Sequence, residues 1–565
     1  MRVSRQTLHG IGRLGLILAN VVVAIVLVGV GALIYLEAGW ATSRPGDPAE
    51  AFWSGSIGTE VMPLPAAVAL PKLAPQHFQP GGPEAGDWIE QFGFLRNQDE
   101  SNGPPIGFTV HNLRPQTGAP SPVPFVGFAC ALCHTTGIQT SEREEPRIIS
   151  GPGSVSLNIF AYVDALQAAI AERERPAGGG LPDLANPPPY LLTADQLIET
   201  YESESGNAVR LQDRMMIRLW LSQFRQRIED SAQRYGEPFG HGRSREETVA
   251  PTGPTRTQPF RVLIRTLVHR PGTDMKVFSK MATVFSEDWR TRAQFDGSIS
   301  DINARSSFAA LAQGATSINL AKPEIAHNIR EASTYTTMLR APRFTDVFPD
   351  AQLADSATLS HGRDVYRARC FDCHGDRAAD GGWEMGTRTN TVIPLAEIGT
   401  DPERVAFRYY GELAGRVHAH LDIHRQGAPY IAVGSHKRHP FAFDRELIYP
   451  LPGDEEDVES RGYVAGPLDG AFLRAPYLHN ASVLTLAELL NLEPRREVFY
   501  RGRNLYDLAR VGFVSPTRAD TRHYFAFDTA VVGNTNTGHD YPWAYDDPAR
   551  SEPDLRALIE YLKTL

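Results

Sequence analysis

The chain has 565 residues, of which 42% are hydrophobic and 22% charged, which allows two to four globular domains with a sizeable core. The net charge is −10, and acids and bases are mixed along the chain. That mixture excludes a basic face, and with it nucleic acid as an expected partner.

The N-terminus carries Arg2, Arg5 and Arg13 ahead of a run from Leu14 to Leu36 in which only Asn20 is clearly polar. A run of this length can cross a bilayer with some tilt. A cleaved signal peptide competes with this, but its apolar region is usually shorter, and Ala38-Gly39-Trp40-Ala41 is a poor cleavage site. The expectation is an uncleaved anchor over 14–36 in a bacterial inner membrane. Residues 1–13 then lie in the cytoplasm and the bulk of the chain in the periplasm.

Residues 37–85 are rich in Pro and Gly and read as an irregular stalk; Trp53 and Trp88 flank it as packing residues. Residues 86–150 read as turns, with Pro115, Pro120, Pro122 and Pro124 ahead of Phe125-Val126-Gly127-Phe128. Helical periodicity predicts helices over Asn158–Ala171, Ala194–Glu202, Leu211–Ile228, Leu263–Phe285 and Ser306–Ile318. The stripe of Met215, Met216, Leu219, Trp220, Leu221 and Phe224 is read as core. Residues 236–258 read as a polar insertion, and Leu339–Ala354 as a Pro-punctuated linker. This divides the body into 86–345 and 346–565.

The second half opens with a predicted helix, Ser356–Arg369, on which Gly362, Tyr366 and Cys370 share a face. It resembles the first helix of a class I cytochrome c. At the other end, Glu552-Pro553-Asp554-Leu555 starts a helix with Leu555, Leu558, Ile559 and Leu562 on its apolar side. It resembles the C-terminal cytochrome c helix that crosses the first. The fold class expected is mainly α: two cytochrome c-like haem domains with long loops, preceded by one transmembrane helix.

All four cysteines fall in two pentapeptides, Cys130-Ala131-Leu132-Cys133-His134 and Cys370-Phe371-Asp372-Cys373-His374. C-x-x-C-H is the attachment signature of a c-type haem: each thiol adds to a vinyl group, and the histidine is the proximal iron ligand. Two redox disulfides or one four-thiolate zinc site would leave the histidines unexplained. With 17 His in 565 residues, chance puts one at both fifth positions about once in a thousand sequences. Two covalent haem c groups are therefore expected.

A haem that only carries electrons needs a second axial ligand, whereas one that acts on oxygen or peroxide keeps that position open. For the second haem the downstream histidines are His418, His420, His424, His436, His439, His479, His523 and His539, and no Met follows Met385. For the first haem none of His241, His269 or His327 has a distinctive setting. That haem is read as five-coordinate at His134, with Trp289, Phe295 and Phe308 as candidate pocket members.

These features together resemble the di-haem cytochrome c peroxidase superfamily. The closer resemblance is to its rubber oxygenase and fatty-acid dioxygenase branch. It rests on Gly462-Tyr463-Val464, Gly466-Pro467-Leu468-Asp469-Gly470, the run Arg474 to Val483, and Asn534-Thr535-Asn536-Thr537-Gly538-His539. The resemblance implies that the haem on His134 binds dioxygen and that the haem on His374 takes His539 as its sixth ligand and assists electronically. It implies that His479 supports the site without ligating iron. The expected reaction is dioxygen addition to a carbon–carbon double bond of an apolar substrate, an isoprenoid or an unsaturated fatty acid. Two alternatives stay open. One is a peroxidase reducing hydrogen peroxide with electrons from a periplasmic carrier protein, with an inter-domain calcium left open; the other is a plain electron-transfer cytochrome.

Overall fold

The structure is a computed structural model that describes residues 19–29, 46–97, 103–174, 188–235, 251–265, 276–299, 302–407, 413, 461–516, 524–540 and 548–565. The described residues are 43% helical and 15% strand, a mixed architecture rather than the mainly α fold expected. Of the apolar run 14–36, residues 19–29 are helical and exposed, and the rest lies outside the described residues. Among the described residues no helix is long and apolar enough to cross a membrane, and the expected transmembrane helix is not found there.

The largest departure from the sequence reading lies between residues 47 and 128. The supposed stalk holds the helices Pro48–Ser54 and Leu64–Leu73. Ala51, Phe52, Ala66, Ala69 and Leu70 are fully buried there. Proline starts these helices rather than breaking the chain, because the first helical turn has no use for the missing N–H. The proline-rich approach to the first pentapeptide is a sheet of order β1-β3-β2, with β1 Met62–Pro63, β2 Phe108–Leu113 and β3 Pro120–Phe128. β1 pairs with β3 only at Val126 and Phe125. Pro120, Pro122 and Pro124 thus sit where β3 has a neighbour on one side alone, and their lack of a donor costs no ladder bond.

The helices Ile159–Ala171, Ala194–Ser205 and Leu211–Tyr235 form where periodicity predicts them. The helix expected over Leu263–Phe285 is not continuous among the described residues, and 266–275 lie outside them. A short helix ends at Leu263, and the chain returns as a strand at Ser279–Lys280, paired with Arg256–Thr257. Val277 and Phe278 are both buried, and a short apolar run buried on both sides reads equally as helix or strand. The end of the supposed polar insertion is likewise core, since Arg256 is fully buried. The predicted helix Ser306–Ile318 starts earlier, at Ile302, and stops at Ala312, ahead of Gly314.

In the second half, Ser356–Arg369 packs across the C-terminal helix Pro548–Leu562. Gly362 makes the crossing possible: a Cβ there would lie 2.0 Å from the carbonyl oxygen of Ala557. One core runs across the linker, joining Ile138, Ile149 and Phe285 to Phe344, Phe472, Leu484 and Leu558.

Candidate functional site: two histidine-bearing pentapeptides

The first pentapeptide follows β3 directly. Cys130–Cys133 makes one helical turn, and a hairpin of β4 Thr135–Ile138 with β5 Arg147–Ser150 leaves it. The His134 Nδ1–H donates to the carbonyl oxygen of Ala282 at 2.8 Å, just past the Ser279–Lys280 strand. Nδ1 is therefore the protonated nitrogen, and Nε2 keeps its lone pair for a metal. Burial, then the Arg305 guanidinium, push His134 down to about 4, so the ring is neutral. Burial raises the Cys130 thiol to about 11 and Cys133 to about 12, and neither is in a disulfide.

Cys133 and His134 border a cavity of about 250 Å³. Phe295 and Phe308 line it, as expected from sequence, with Phe128, Phe160 and Val262. Sequence reasoning missed its polar wall: Lys280, Gln294 and Arg305. Arg305 makes a two-pronged ion pair with Glu287 at 2.6 and 2.5 Å, and Thr336 also donates to Glu287. No local pattern marks these residues, since each comes from a different element.

Trp289 does not line this cavity. It stacks on Trp383 at 5.3 Å, and the Trp383 indole donates to the carbonyl oxygen of His374. The residue thus belongs beside the second pentapeptide, two positions along from Glu287, which serves the first.

At the second pentapeptide, Cys370 caps the Ser356–Arg369 helix and the next turn carries His374. His374 Nδ1–H donates to Gly466 at 2.9 Å, again leaving Nε2 free. His539 faces it, with ring centroids 6.2 Å apart and planes tilted by 53°. Burial, then the His374 ring, push His539 down to about 3; burial takes His374 to about 4. Both are neutral donors.

A haem iron fits between them. A metal–imidazole bond is about 2.0–2.1 Å and the ring nitrogen lies about 1.1 Å from the ring centre, so two imidazoles on opposite faces of one iron have centroids about 6.3 Å apart.

The loop carrying His539 is pinned along its length. Thr535 Oγ1 donates to Asp401 at 2.6 Å, Asn536 Nδ2 to Arg496, and Arg495 to Gly538 at 2.9 Å. Gly538 lies against the backbone of Gly399 and Thr400, where a Cβ would meet atoms at 2.2 Å. His539 itself holds φ +53°, a strained conformation for a histidine.

His479 is occupied elsewhere. It is buried against Tyr463, with rings stacked 4.1 Å apart and Nε2 3.0 Å from the Tyr463 hydroxyl. That hydroxyl donates to Asp401 at 2.6 Å, so His479 Nε2–H is the donor to it. His327 forms local contacts with Arg330 and Glu331. His241, His269, His418, His420, His424, His436, His439 and His523 lie outside the described residues.

Residues 462–500, the segment holding Tyr463 and His479, match a family model described as RoxA-like, cytochrome c-like. Two similar proteins come from Sinorhizobium fredii. Uncharacterized protein y4iJ is 25% identical over 95% of this chain and 94% of its own length. Uncharacterized protein y4iM is 31% identical over 39% of this chain and 52% of its own. The cytochrome c-like match suggests covalently bound haem c and a haem-dependent oxidoreductase.

Proposed function

We propose that this chain carries two haem c groups and is an oxygen-activating dioxygenase acting on an unsaturated apolar substrate. In this reading one haem is held by Cys130, Cys133 and His134, and the other by Cys370, Cys373, His374 and His539. The observation that carries it is an asymmetry. The second pentapeptide has a facing imidazole at iron-bridging distance, whereas His134 borders a largely apolar cavity in which it is the only histidine among the described residues. Met281 also lines that cavity.

A haem bound at the cavity would supply dioxygen activation. The protein's part is positional. Phe295 and Phe308 exclude water and shape the space for an alkene. Ala282 fixes the His134 tautomer, and Glu287 holds the Arg305 guanidinium at the wall. His374 and His539 saturate the second site, so it can exchange electrons without binding substrate. Covalent attachment of haem c in bacteria takes place outside the cytoplasm, and this reading places the folded body there.

A peroxidase is the second reading, and Lys280, Gln294 and Arg305 favour it, because a peroxide site uses polar side chains of this kind near the iron. Spectroscopy with substrate tests separates the two. The dioxygenase reading expects two haems per chain by mass, one of which binds carbon monoxide when reduced. It also expects dioxygen uptake with an unsaturated lipid or isoprenoid. Turnover of hydrogen peroxide alone, with no dioxygen uptake, would establish the peroxidase instead.

A further inference from the structure

The cavity beside His134 carries a charge imbalance. Arg265, Lys280 and Arg305 line it, and among the described residues no carboxylate does. Arg305 is neutralised from behind by Glu287. Lys280 has no such counter-charge: among the described residues its ammonium donates only to the carbonyl oxygens of Arg474 at 2.6 Å and Pro476 at 2.8 Å. An ammonium has three protons to donate, so one is left over. The charged group that acts on it is another cation, Arg474. An enclosed cation without a counter-ion is costly, and the cost falls when an anion is supplied.

The rest of the wall describes the anion's body. Phe128, Ile159, Phe160, Val163 and Phe308 make it apolar. Gln294 and Ser279 also line it, both held by the buried Arg404 guanidinium at 3.1 and 2.6 Å. An apolar body with one planar, singly charged end is a carboxylic acid.

We propose that the polar end of this cavity is a carboxylate-binding subsite anchored by Lys280. The carboxylate is either a propionate of the haem or the acid group of an apolar substrate; the proposal rests on the haem reading of Cys130–His134 for the setting of the site. Burial and Arg474 hold Lys280 down to about 7, and a bound carboxylate would restore its full charge.

The test uses the full-length holoprotein, with calorimetric titration of decanoate and of decanol, which has the same chain without the acid. If the acid comes from substrate, wild type prefers decanoate by about tenfold or more. Lys280→Met then removes the preference and Lys280→Arg keeps it. If the occupant is a propionate, wild type shows no preference, and both variants shift the propionate bending band in the resonance Raman spectrum. Lys280→Arg keeps the cation, so it serves where Lys280→Met does not fold. Absence of any acid preference together with an unmoved propionate band overturns the proposal. Decanoate preference in a chain with no attached haem would sink the haem reading and leave the subsite standing.

Discussion

The imidazole of His539 lies 6.2 Å, centroid to centroid, from that of His374, and its backbone is held at φ +53° to reach that position. Strain of this kind persists only where the surroundings over-determine it, as the pinned loop does here. If two haems are held as proposed, His539→Ala is expected to convert one low-spin haem to a high-spin one that binds carbon monoxide, with both haems still covalently attached. Exogenous imidazole should restore the low-spin spectrum. Electron paramagnetic resonance of the ferric protein reads this directly, and an unchanged spectrum would move the ligand to another residue.

Glu287 and Arg305 form a nearly buried ion pair at the cavity wall. Removing one partner of such a pair leaves an uncompensated charge and costs about 3–5 kcal/mol. Glu287→Gln is therefore expected to be the more damaging change, and Glu287→Gln with Arg305→Met together the milder one. Urea denaturation of the two proteins, compared with wild type, checks the order.

Gly362→Ala sets two effects against each other. Alanine gains about 1 kcal/mol over glycine within a helix. The new Cβ would sit 2.0 Å from the Ala557 carbonyl oxygen, and overpacking against a backbone costs about 1–3 kcal/mol. Because backbone cannot swing aside as a side chain does, a net loss of about 2 kcal/mol is expected. A melting curve that rises instead would mean that the two helices slide apart freely.

Glu60 gives a pH dependence with a definite sign. It is buried beside Ser56, and burial raises it from 4.5 to about 7. Its folded-state value lies above its unfolded one, so the folded protein binds the extra proton between these values. Its contribution is complete below about pH 4.5 and is lost as the pH rises through about 7, a change on the order of 3 kcal/mol. Glu60→Gln keeps the neutral form at all pH. The variant should match wild type at pH 5 and exceed it at pH 8 in denaturant midpoint; equal midpoints at both values would show that Glu60 is solvated.

Much of the helical framework was legible from periodicity, as in Ile159–Ala171 and Ser356–Arg369, because an amphipathic face repeats within a few turns. The sheet ahead of Cys130 was not, because its prolines read as turns until the register shows that β3 has a neighbour there on one side alone. Leu263–Phe285 failed for another reason: burial on both sides erases the period that separates helix from strand. That error hid Lys280 and the Ala282 carbonyl, both of which the strand delivers to the cavity. Trp289 was misassigned between the two pentapeptides because a tryptophan's neighbours depend on packing, which local pattern does not carry.

What the chain determined by itself is the chemistry that needs only neighbours in sequence. Two thiols and an imidazole within five residues suffice for covalent capture of a porphyrin, and this spacing stands out from any background. What only the tertiary structure decided is which groups converge from afar: His539 onto His374, Glu287 onto Arg305, Lys280 onto the carbonyls of Arg474 and Pro476. Coordination number, counter-charge and cavity shape are properties of atoms a few ångströms apart in space, and distance along the chain does not encode them.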